Sequence, residues 1–435
     1  MTCVAIVGAG WAGAAAALTL ARASVSVTVF EANAVPGGRA RVVDKAGRTF
    51  DNGQHLLLGA YSRSLKLIAS LHMNTELAYQ RLPLMLHSAP GTPTALALTA
   101  AKLPAPLHLL FAILAAKGLS LKEKLSASTW AARHLGGAGV GESVTVAELI
   151  KTQPPRLRQL LWEPLCVAAL NTPPEDATAS VFVEVLRRTF TGDARASDLI
   201  IPRMNLTALI PAPALAEVAS RGGDVKLGTY VTSVEAARTG ASVILRDQSR
   251  CEFDFVIVAT GPQHIPRLLG DEPVATAVVE ALQGLTYEPI TTLFFDFACA
   301  GLGVNEQSPM LMLDGIPGQW LFWQVLRNGH WRASVVISAD HRLAGEPELL
   351  AAALSQLKQS YALPAPIWQF AITEKRATYA CSPEQTRALT RLPDHLGRIF
   401  FAGDWCVPEL PATLEAAVVS GERAAQRILA KGDHD

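Results

Sequence analysis

The chain is short of several features, and each absence narrows its class. Its 435 residues include only six cysteines and no Cys-x-x-Cys pair, so we expect reduced thiols, without a disulfide framework or a zinc site. Basic and acidic residues number 38 each, which gives no electrostatic reason to expect a nucleic-acid partner. The apolar residues at the start follow no basic segment, so we expect no secretory leader. These absences together predict a cytoplasmic protein without bound metal.

Long hydrophobic runs are also missing. The longest apolar stretch, residues 107–116, is well below the roughly 20 residues that a membrane-spanning helix needs. Half of all residues are nevertheless hydrophobic and 17% are charged, and the length suffices for two or three domains. The composition is therefore that of a large globular protein with an extensive core.

A dinucleotide-binding pattern opens the chain. An apolar run leads into Gly8, Gly10 and Gly13, an alanine-rich helical segment follows, and a second apolar run ends at Glu31. Gly8 permits a tight turn, Gly10 lets backbone approach a pyrophosphate, and Gly13 allows close packing of helix on strand. The carboxylate of Glu31 can hold a ribose hydroxyl and would repel a 2′-phosphate. The pattern predicts FAD or NAD, not NADP, in this site.

Further nucleotide-binding signals recur later, so we predict a discontinuous domain with two insertions between its parts. The predicted cofactor domain comprises residues 1–61, 203–263 and 392–435. The first insertion, residues 62–202, is rich in leucine and alanine at helical spacing. The second, residues 264–391, opens with a helix and continues as antiparallel strands, with a hairpin turn predicted at Asn328-Gly329.

A second glycine-rich segment, Gly137-Ala138-Gly139-Val140-Gly141, does not have the context of a nucleotide loop. It follows a helical segment instead of a strand, and it precedes a capping box that begins at Thr145. We therefore predict a loop between two helices, and we predict no separate domain for a nicotinamide cofactor.

Several segments resemble the FAD-dependent amine oxidase and phytoene desaturase superfamily over nearly the whole chain. They are GGRAR at 37–41, DNGQHLLLGAY at 51–61, ATGP at 259–262 and Gly403-Asp404. Residues 51–61 and 162–174 are most similar to its squalene-associated branch, the hydroxysqualene dehydroxylases. The resemblance implies an α/β fold in which a Rossmann-type FAD-binding domain is interleaved with a substrate domain of antiparallel sheet and helices.

The resemblance also implies where FAD lies. Arg39 and Arg41 would line the diphosphate and ribityl region, Val231 would meet the adenine through its backbone, and Asp404 would accept a ribityl hydroxyl. A helix that begins after Pro411 would point its positive end at the flavin. The full predicted cofactor set is Gly8, Gly10, Trp11, Ala12, Gly13, Glu31, Ala32, Gly38, Arg39, Arg41, Gly53, Gln54, His55, Val231, Gly261, Gly403, Asp404, Thr413, Leu414 and Ala416. We expect non-covalent FAD and treat Cys406 as an ordinary thiol.

The activity implied by the resemblance is reductive removal of the hydroxyl of hydroxysqualene, which yields squalene. FAD would be reduced by an external donor such as NADPH. His55 is a candidate proton donor or polar contact, with a structural hydrogen bond to backbone as the alternative. Glu163 is a second candidate acid, with a helix-surface glutamate as the alternative. Trp162, Asn171 and Arg203 are candidate substrate residues.

The apolar insertions favour a C30 isoprenoid substrate and a lipid surface. Residues 103–124 combine an apolar segment with flanking lysines, a pattern typical of peripheral attachment to the inner face of the membrane. A core helix with ordinary lysine ends is the alternative. The competing functions are an isoprenoid desaturase or an amine oxidase on the same fold, and a flavin-free prenyl-lipid carrier.

Overall fold

The computed structural model describes residues 2–45, 47–92, 95–270, 275–298, 309–326, 329–341 and 345–432. The β-strands are β1 Cys3–Val7, β2 Ser26–Phe30, β3 Val42–Lys45, β4 Arg48–Asp51, β5 Leu57–Leu58, β6 Tyr79–Leu82, β7 Met85–His87, β8 Ala97–Thr99, β9 Leu199–Pro202, β10 Asp224–Lys226, β11 Val231–Ala236, β12 Ala241–Leu245, β13 Arg250–Phe253, β14 Phe255–Val258, β15 Tyr287–Phe297, β16 Met310–Met312, β17 Trp320–Val325, β18 Trp331–Ser338, β19 Trp368–Tyr379, β20 His395–Leu396 and β21 Ile399–Phe401.

The α-helices are α1 Trp11–Arg22, α2 Ser62–Leu71, α3 Thr75–Ala78, α4 Leu107–Ala115, α5 Leu121–Leu135, α6 Val146–Ile150, α7 Pro155–Leu157, α8 Glu163–Leu170, α9 Ala179–Phe190, α10 Leu206–Leu209, α11 Pro211–Ser220, α12 Ile265–Leu269, α13 Thr276–Gln283, α14 Glu346–Ser360, α15 Pro383–Thr390 and α16 Leu414–Gly432. A π-helix lies at Arg158–Trp162, and 3-10 helices lie at Ala194–Ser197, Pro262–His264 and Asp404–Cys406.

One sheet, in the order β10-β2-β1-β14-β21-β20, gathers strands from the beginning, middle and end of the chain. β1 pairs in parallel with β2 and β14, and β14 pairs in parallel with β21. Its apolar strands are covered on one face by α1 and α16 and on the other by α12 and the β11–β12–β13 sheet, as parallel sheets require. The predicted α/β fold is confirmed.

Small residues allow α1 to pack closely against α16 and against the loop that precedes it. Ala14 and Ala16 are fully buried in the face of α1. A Cβ on Gly13 would lie 1.9 Å from the carbonyl oxygen of Gly8, and one on Gly421 in α16 would lie 2.1 Å from that of Ala12. The start of α1 is therefore held tightly between its own loop and α16.

A second sheet, in the order β16-β17-β18-β15-β19, separates two apolar regions. Leu321 and Val335 pack toward α14 on one face. Their neighbours Phe322 and Val336 point to the other face, where they line a cavity. This alternation follows from the two-residue period of a strand.

The hairpin between β17 and β18 forms as predicted, with Val325 opposite Trp331. Gly329 in its turn has φ of 74°, the left-handed conformation that favours glycine. Asn328, the other predicted turn residue, lies outside the described residues.

The first insertion contains α2 to α9, in line with its helical periodicity, and also strands that this periodicity did not predict. β9 pairs antiparallel with β5 and β6, and β7 pairs with β8. These strands have two to four residues each, too few for an alternating pattern to stand out. The Gly137–Gly141 segment lies between α5 and α6, and α6 opens with the predicted capping box of Thr145 and Glu148.

Within the described part of the chain, no helix is long and apolar enough to cross a membrane. The same residues contain no cluster of three or more His, Cys, Asp or Glu side chains that could hold a metal ion. The described cysteines form no disulfide with one another, and Cys299 lies outside the described residues.

Candidate functional site

A cavity of about 1520 Å³ begins at the carboxyl ends of the parallel strands and continues between the second sheet and the helical insertion. Pockets for drug-sized ligands hold about 300–1,000 Å³. The cavity therefore has room for a dinucleotide and for a second ligand.

The glycine loop forms one wall of this cavity. Gly8 has φ of 106°, and a Cβ there would lie 2.7 Å from the carbonyl oxygen of Ala259. Gly10 faces Gly38 so closely that a Cβ on Gly38 would lie 3.4 Å from the Cα of Gly10. α1 begins without a side-chain cap and without an acidic residue in its first turn, which leaves its N–H groups available to an anion.

Glu31 lies at the end of β2 with 6% of its surface exposed. Its Oε2 accepts a hydrogen bond from the backbone N–H of Ala9 at 2.8 Å. Its Oε1 accepts from the backbone and side-chain amides of Asn33, at 2.9 and 2.8 Å. Each carboxylate oxygen has further lone pairs, so Glu31 can bind a ribose hydroxyl while it orders the loop.

Arg39 and Asp404 join the first and last parts of the chain at the cavity wall. Nη2 of Arg39 donates to Oδ2 of Asp404 at 2.6 Å, and Nη1 donates to the carbonyl oxygen of Ala377 at 2.7 Å. Ser420 of α16 accepts from the N–H of Gly403 at 2.9 Å, which fixes the turn before Asp404. Both charged residues line the cavity.

The first turn of α16 also faces the cavity, through Thr413, Leu414 and Glu415. Glu415 is 6% exposed and accepts hydrogen bonds from the N–H groups of Arg63 and Ser64, each at 2.9 Å. It therefore caps the beginning of α2, while burial raises the pKa of its carboxyl. The positive end of α16 is thereby positioned beside the cavity.

The surroundings of His55 fix its tautomer and disfavour its charged form. Its Nδ1 lies 3.0 Å from the carbonyl oxygen of Gly53, which can only accept, so Nδ1 carries the hydrogen. Burial lowers the pKa of His55, and the charge of Arg39 lowers it further against the effect of the Gly53 hydrogen bond. With Nε2 unprotonated, the ring accepts a hydrogen bond, which favours a polar contact over proton donation.

The other half of the cavity is mostly apolar. Its lining from α8, α9 and the sheets includes Leu84, Leu86, Leu165, Val185, Phe190, Met310 and Phe322. Exposed residues Arg188 and Arg195 also line it, so the cavity reaches the surface beside the segment that follows α9.

Most of the predicted cofactor residues meet at this cavity. Those that line it are Gly8, Gly10, Trp11, Ala12, Glu31, Ala32, Gly38, Arg39, Arg41, Gly53, Gln54, His55, Val231, Gly261, Gly403, Asp404, Thr413 and Leu414. Gly13 lies behind the loop, where it makes room for Gly8. Ala416 is fully buried, and its N–H donates to Oγ1 of Thr413 at 3.2 Å. Cys406 does not line the cavity.

Only some of the predicted catalytic and substrate residues line the cavity. His55 and Asn171 line the cavity, whereas Trp162, Glu163 and Arg203 do not. The ring of Trp162 lies 4.3 Å from that of Trp130, in the core of the insertion.

Glu163 begins α8, outside the cavity lining, and burial raises the pKa of its carboxyl. Nη1 of Arg203 donates to the carbonyl oxygen of Glu76 at 3.1 Å, and Arg203 lines a separate cavity of about 680 Å³.

Some contacts that shape the site were missed. Glu415 and Ser420 are polar residues inside a long amphipathic helix, and no local pattern distinguishes them from its surface residues. Thr378 lies in β19, lines the cavity and accepts from Nδ2 of Asn171 at 2.9 Å. Its partner is 207 positions away, so only the folded chain identifies it.

These residues fit FAD. The uncapped start of α1 suits a diphosphate, and the facing glycines Gly10 and Gly38 leave space that side chains would fill. Glu31 and Asp404 place carboxylates where ribose and ribityl hydroxyls need acceptors.

Comparisons with known proteins agree with this site. A family model described as flavin containing amine oxidoreductase matches residues 11–429. A hydroxysqualene dehydroxylase of Rhodopseudomonas palustris is 30% identical, with 98% of both chains covered. A 15-cis-phytoene desaturase of Synechococcus elongatus is 23% identical, with 99% of this chain and 96% of the relative covered. The solved structure of cyclohexylamine oxidase from Brevibacterium oxydans superposes with a TM-score of 0.73 at 16% identity, over all of both chains.

The chain belongs to the flavin-containing amine oxidoreductase family. The match covers almost the whole chain, including the second sheet and every strand of the cofactor-binding sheet except β1. The protein is accordingly a FAD-dependent oxidoreductase. In this amine oxidoreductase-family enzyme one chain forms both halves of the cavity.

Proposed function

We propose that this enzyme reductively removes the hydroxyl of hydroxysqualene and releases squalene. The observation that supports it is the continuity of the cavity, which joins a dinucleotide-binding wall to an apolar chamber. Bound FAD, once reduced by an external donor such as NADPH, supplies hydride chemistry. A hydride and a proton together convert the C–OH group to C–H and water.

The protein's own residues give this reaction its setting. The apolar chamber holds a C30 chain and keeps water from the reacting carbon. The start of α16 stabilises negative charge at the cofactor. The neutral ring of His55 offers Nε2 as an acceptor to a polar group of the ligand.

An isoprenoid desaturase is the alternative, and the similarity to a phytoene desaturase supports it. The two reactions run hydride in opposite directions. Reduced holoenzyme is incubated anaerobically with hydroxysqualene, and oxidised holoenzyme is incubated separately with squalene or phytoene. We expect squalene to form in the first reaction with stoichiometric flavin oxidation. Turnover only in the second would reject the proposal.

We also propose that the enzyme docks on a membrane through α4 and α5. Six apolar side chains of these helices are 38–72% exposed and form what we term the α4–α5 patch: Leu107, Leu110, Phe111, Leu114, Leu121 and Leu125. Lys102, Lys117 and Lys122 are exposed and lie before α4, after α4 and in α5. Apolar side chains can enter the lipid interface while lysines bind anionic headgroups, and this arrangement favours an anionic bilayer as the partner.

A further inference from the structure

Asn171 is held in one orientation at the end of α8. It has φ of 47°, a left-handed conformation that asparagine tolerates, and 5% of its surface is exposed. Its Nδ2 donates to Oγ1 of Thr378 at 2.9 Å and to the carbonyl oxygen of Glu288 at 3.4 Å. Because that carbonyl can only accept, the amide nitrogen must face it, and Oδ1 must point elsewhere.

The Oδ1 atom of Asn171 is buried and has no hydrogen-bond partner among the residues that the structure describes. Leaving a buried acceptor unpaired costs about 1–3 kcal/mol. Asn171 belongs to the cavity wall and its Oδ1 is enclosed there, so a ligand donor can remove this deficit when the wall shifts enough to admit it.

Thr378 supplies the complementary group. Thr378 is only 8% exposed and lines the cavity, and its hydroxyl accepts the hydrogen bond from Asn171. The hydroxyl's own hydrogen has no acceptor in the described part of the chain. The pair therefore holds one unused donor and one unused acceptor side by side in the cavity wall.

The pair lies where the two halves of the cavity meet. The preceding residue, Ala377, accepts from Arg39, which in turn binds Asp404 in the cofactor wall. On the other side, Leu165 and Ile290 belong to the apolar lining. A ligand hydroxyl both donates and accepts, so it can pair with Thr378 and Asn171 together.

We propose that Asn171 and Thr378 bind the hydroxyl group of the isoprenoid ligand and thereby select an alcohol over the corresponding hydrocarbon. This inference rests on the proposed function for the identity of the alcohol. Both residues act by hydrogen bonding alone, and no proton is transferred from Thr378. A site built to pair with a hydroxyl discriminates strongly against a ligand without one, because its polar groups would stay unpaired.

Ligand binding to the oxidised holoenzyme tests this selection of an alcohol over a hydrocarbon without turnover. Hydroxysqualene and squalene are each titrated in detergent micelles, and the change in flavin absorbance gives both dissociation constants. We expect wild-type protein to bind the alcohol at least about tenfold more tightly, which corresponds to about 1.4 kcal/mol. Thr378→Val and Asn171→Leu should reduce this ratio to near one, and Thr378→Ser should retain it.

Thr373→Val is the matched control, because Thr373 lies in the same strand, bonds Thr291 at 2.8 Å and does not line the cavity. It should leave the ratio unchanged. Equal binding of both ligands by wild-type protein, or a ratio unaffected by Thr378→Val and Asn171→Leu, would overturn the inference. A preference for the alcohol without any turnover of hydroxysqualene would instead reject the proposed function and leave this pocket standing.

Discussion

The carboxylate of Glu31 orders the glycine loop and is also expected to bind a ribose hydroxyl. Its removal should therefore lower both protein stability and FAD affinity. Glu31→Ala deletes the acceptor of the Ala9 and Asn33 amides and the group expected to hold a ribose hydroxyl. We expect FAD affinity to fall at least about tenfold and the apoprotein to lose about 1–3 kcal/mol of stability. Flavin fluorescence titration and thermal melting measure the two effects. Glu235→Ala on the exposed β11 edge is the control, and unchanged FAD affinity in Glu31→Ala would contradict the assigned role.

Asp51 predicts a pH-dependent stability. Burial raises its carboxyl pKa to about 7, against the lowering effect of the hydrogen bond from the Leu206 N–H. Because the pKa is raised in the folded state, between about pH 4 and pH 7 the folded chain keeps a proton on Asp51 that the unfolded chain releases. The stability that this proton contributes is lost as the pH rises from about 4 through 7.

Asp51→Asn removes this titration and keeps an acceptor for Leu206. We expect its melting temperature, relative to wild type, to rise steadily between pH 5 and pH 8. Asp176→Asn, at an exposed position, should show no such trend. A constant difference between Asp51→Asn and wild type across this range would show that the carboxyl does not titrate there.

Residues whose role depends on near neighbours in the sequence could be predicted, whereas residues whose partners are distant in the sequence could not. Gly8 and Gly13 serve a turn whose geometry is set within a few residues, so their spacing alone predicts it. Glu415 caps a helix 351 positions away, and nothing near it in the sequence marks that task. Glu163 and Trp162 were assigned to the site by resemblance alone, and no local pattern could test that assignment. The structure shows that they do not line the cavity, whereas Asn171 does.

At the level of elements, the long helices and buried parallel strands have strong periodic signals. The short strands β5, β6 and β9 do not, because they pair with partners more than 100 positions away in sequence. β7 and β8 pair with each other but have only three residues each.

Gly421 tests how closely α16 must pack on α1. In Gly421→Ala the new Cβ would meet backbone atoms of Ala12 at 2.1 and 2.9 Å, which side-chain rotation cannot relieve. We expect a loss of about 1–3 kcal/mol, seen as a lower melting temperature, together with weaker FAD binding because α1 starts at the cavity. Gly139→Ala, in an open loop with no atoms within 4 Å of the added Cβ, is the control. Equal melting of the two variants would contradict this packing.

The α4–α5 patch gives an element-scale test of membrane docking. Phe111 is 51% exposed, so Phe111→Glu places a charge at the lipid interface without disturbing the core. We expect at least about tenfold weaker cosedimentation with phosphatidylglycerol-containing vesicles. Lys117→Glu with Lys122→Glu should weaken binding to these vesicles and not to neutral ones. Ile367→Glu, 48% exposed on another surface, is the control, and loss of binding in it alone would reject the patch.

At the scale of the whole molecule, one cavity wall is built from three separate parts of the chain. The cavity wall includes Gly8, Glu31, Val231, Gly261 and Asp404, each placed at or beside the end of a strand. A ligand that binds only the folded state stabilises it by about 2.7 kcal/mol at a concentration one hundred times its dissociation constant. If these segments open as one unit, FAD should protect them together.

Hydrogen exchange of apoprotein with and without added FAD measures this. We expect simultaneous protection at residues 8–13, 229–231, 259–264 and 403–415, with little change in the Trp130 core of the helical insertion, whose cluster includes no residue of these four segments. Gly8→Val, which forces a β-branched residue into φ of 106°, should abolish the response at every segment. Protection confined to residues 8–13 would mean that the three parts of the chain open independently of one another. The apoprotein would then lack a preformed cavity, and FAD binding would be needed to bring the parts together.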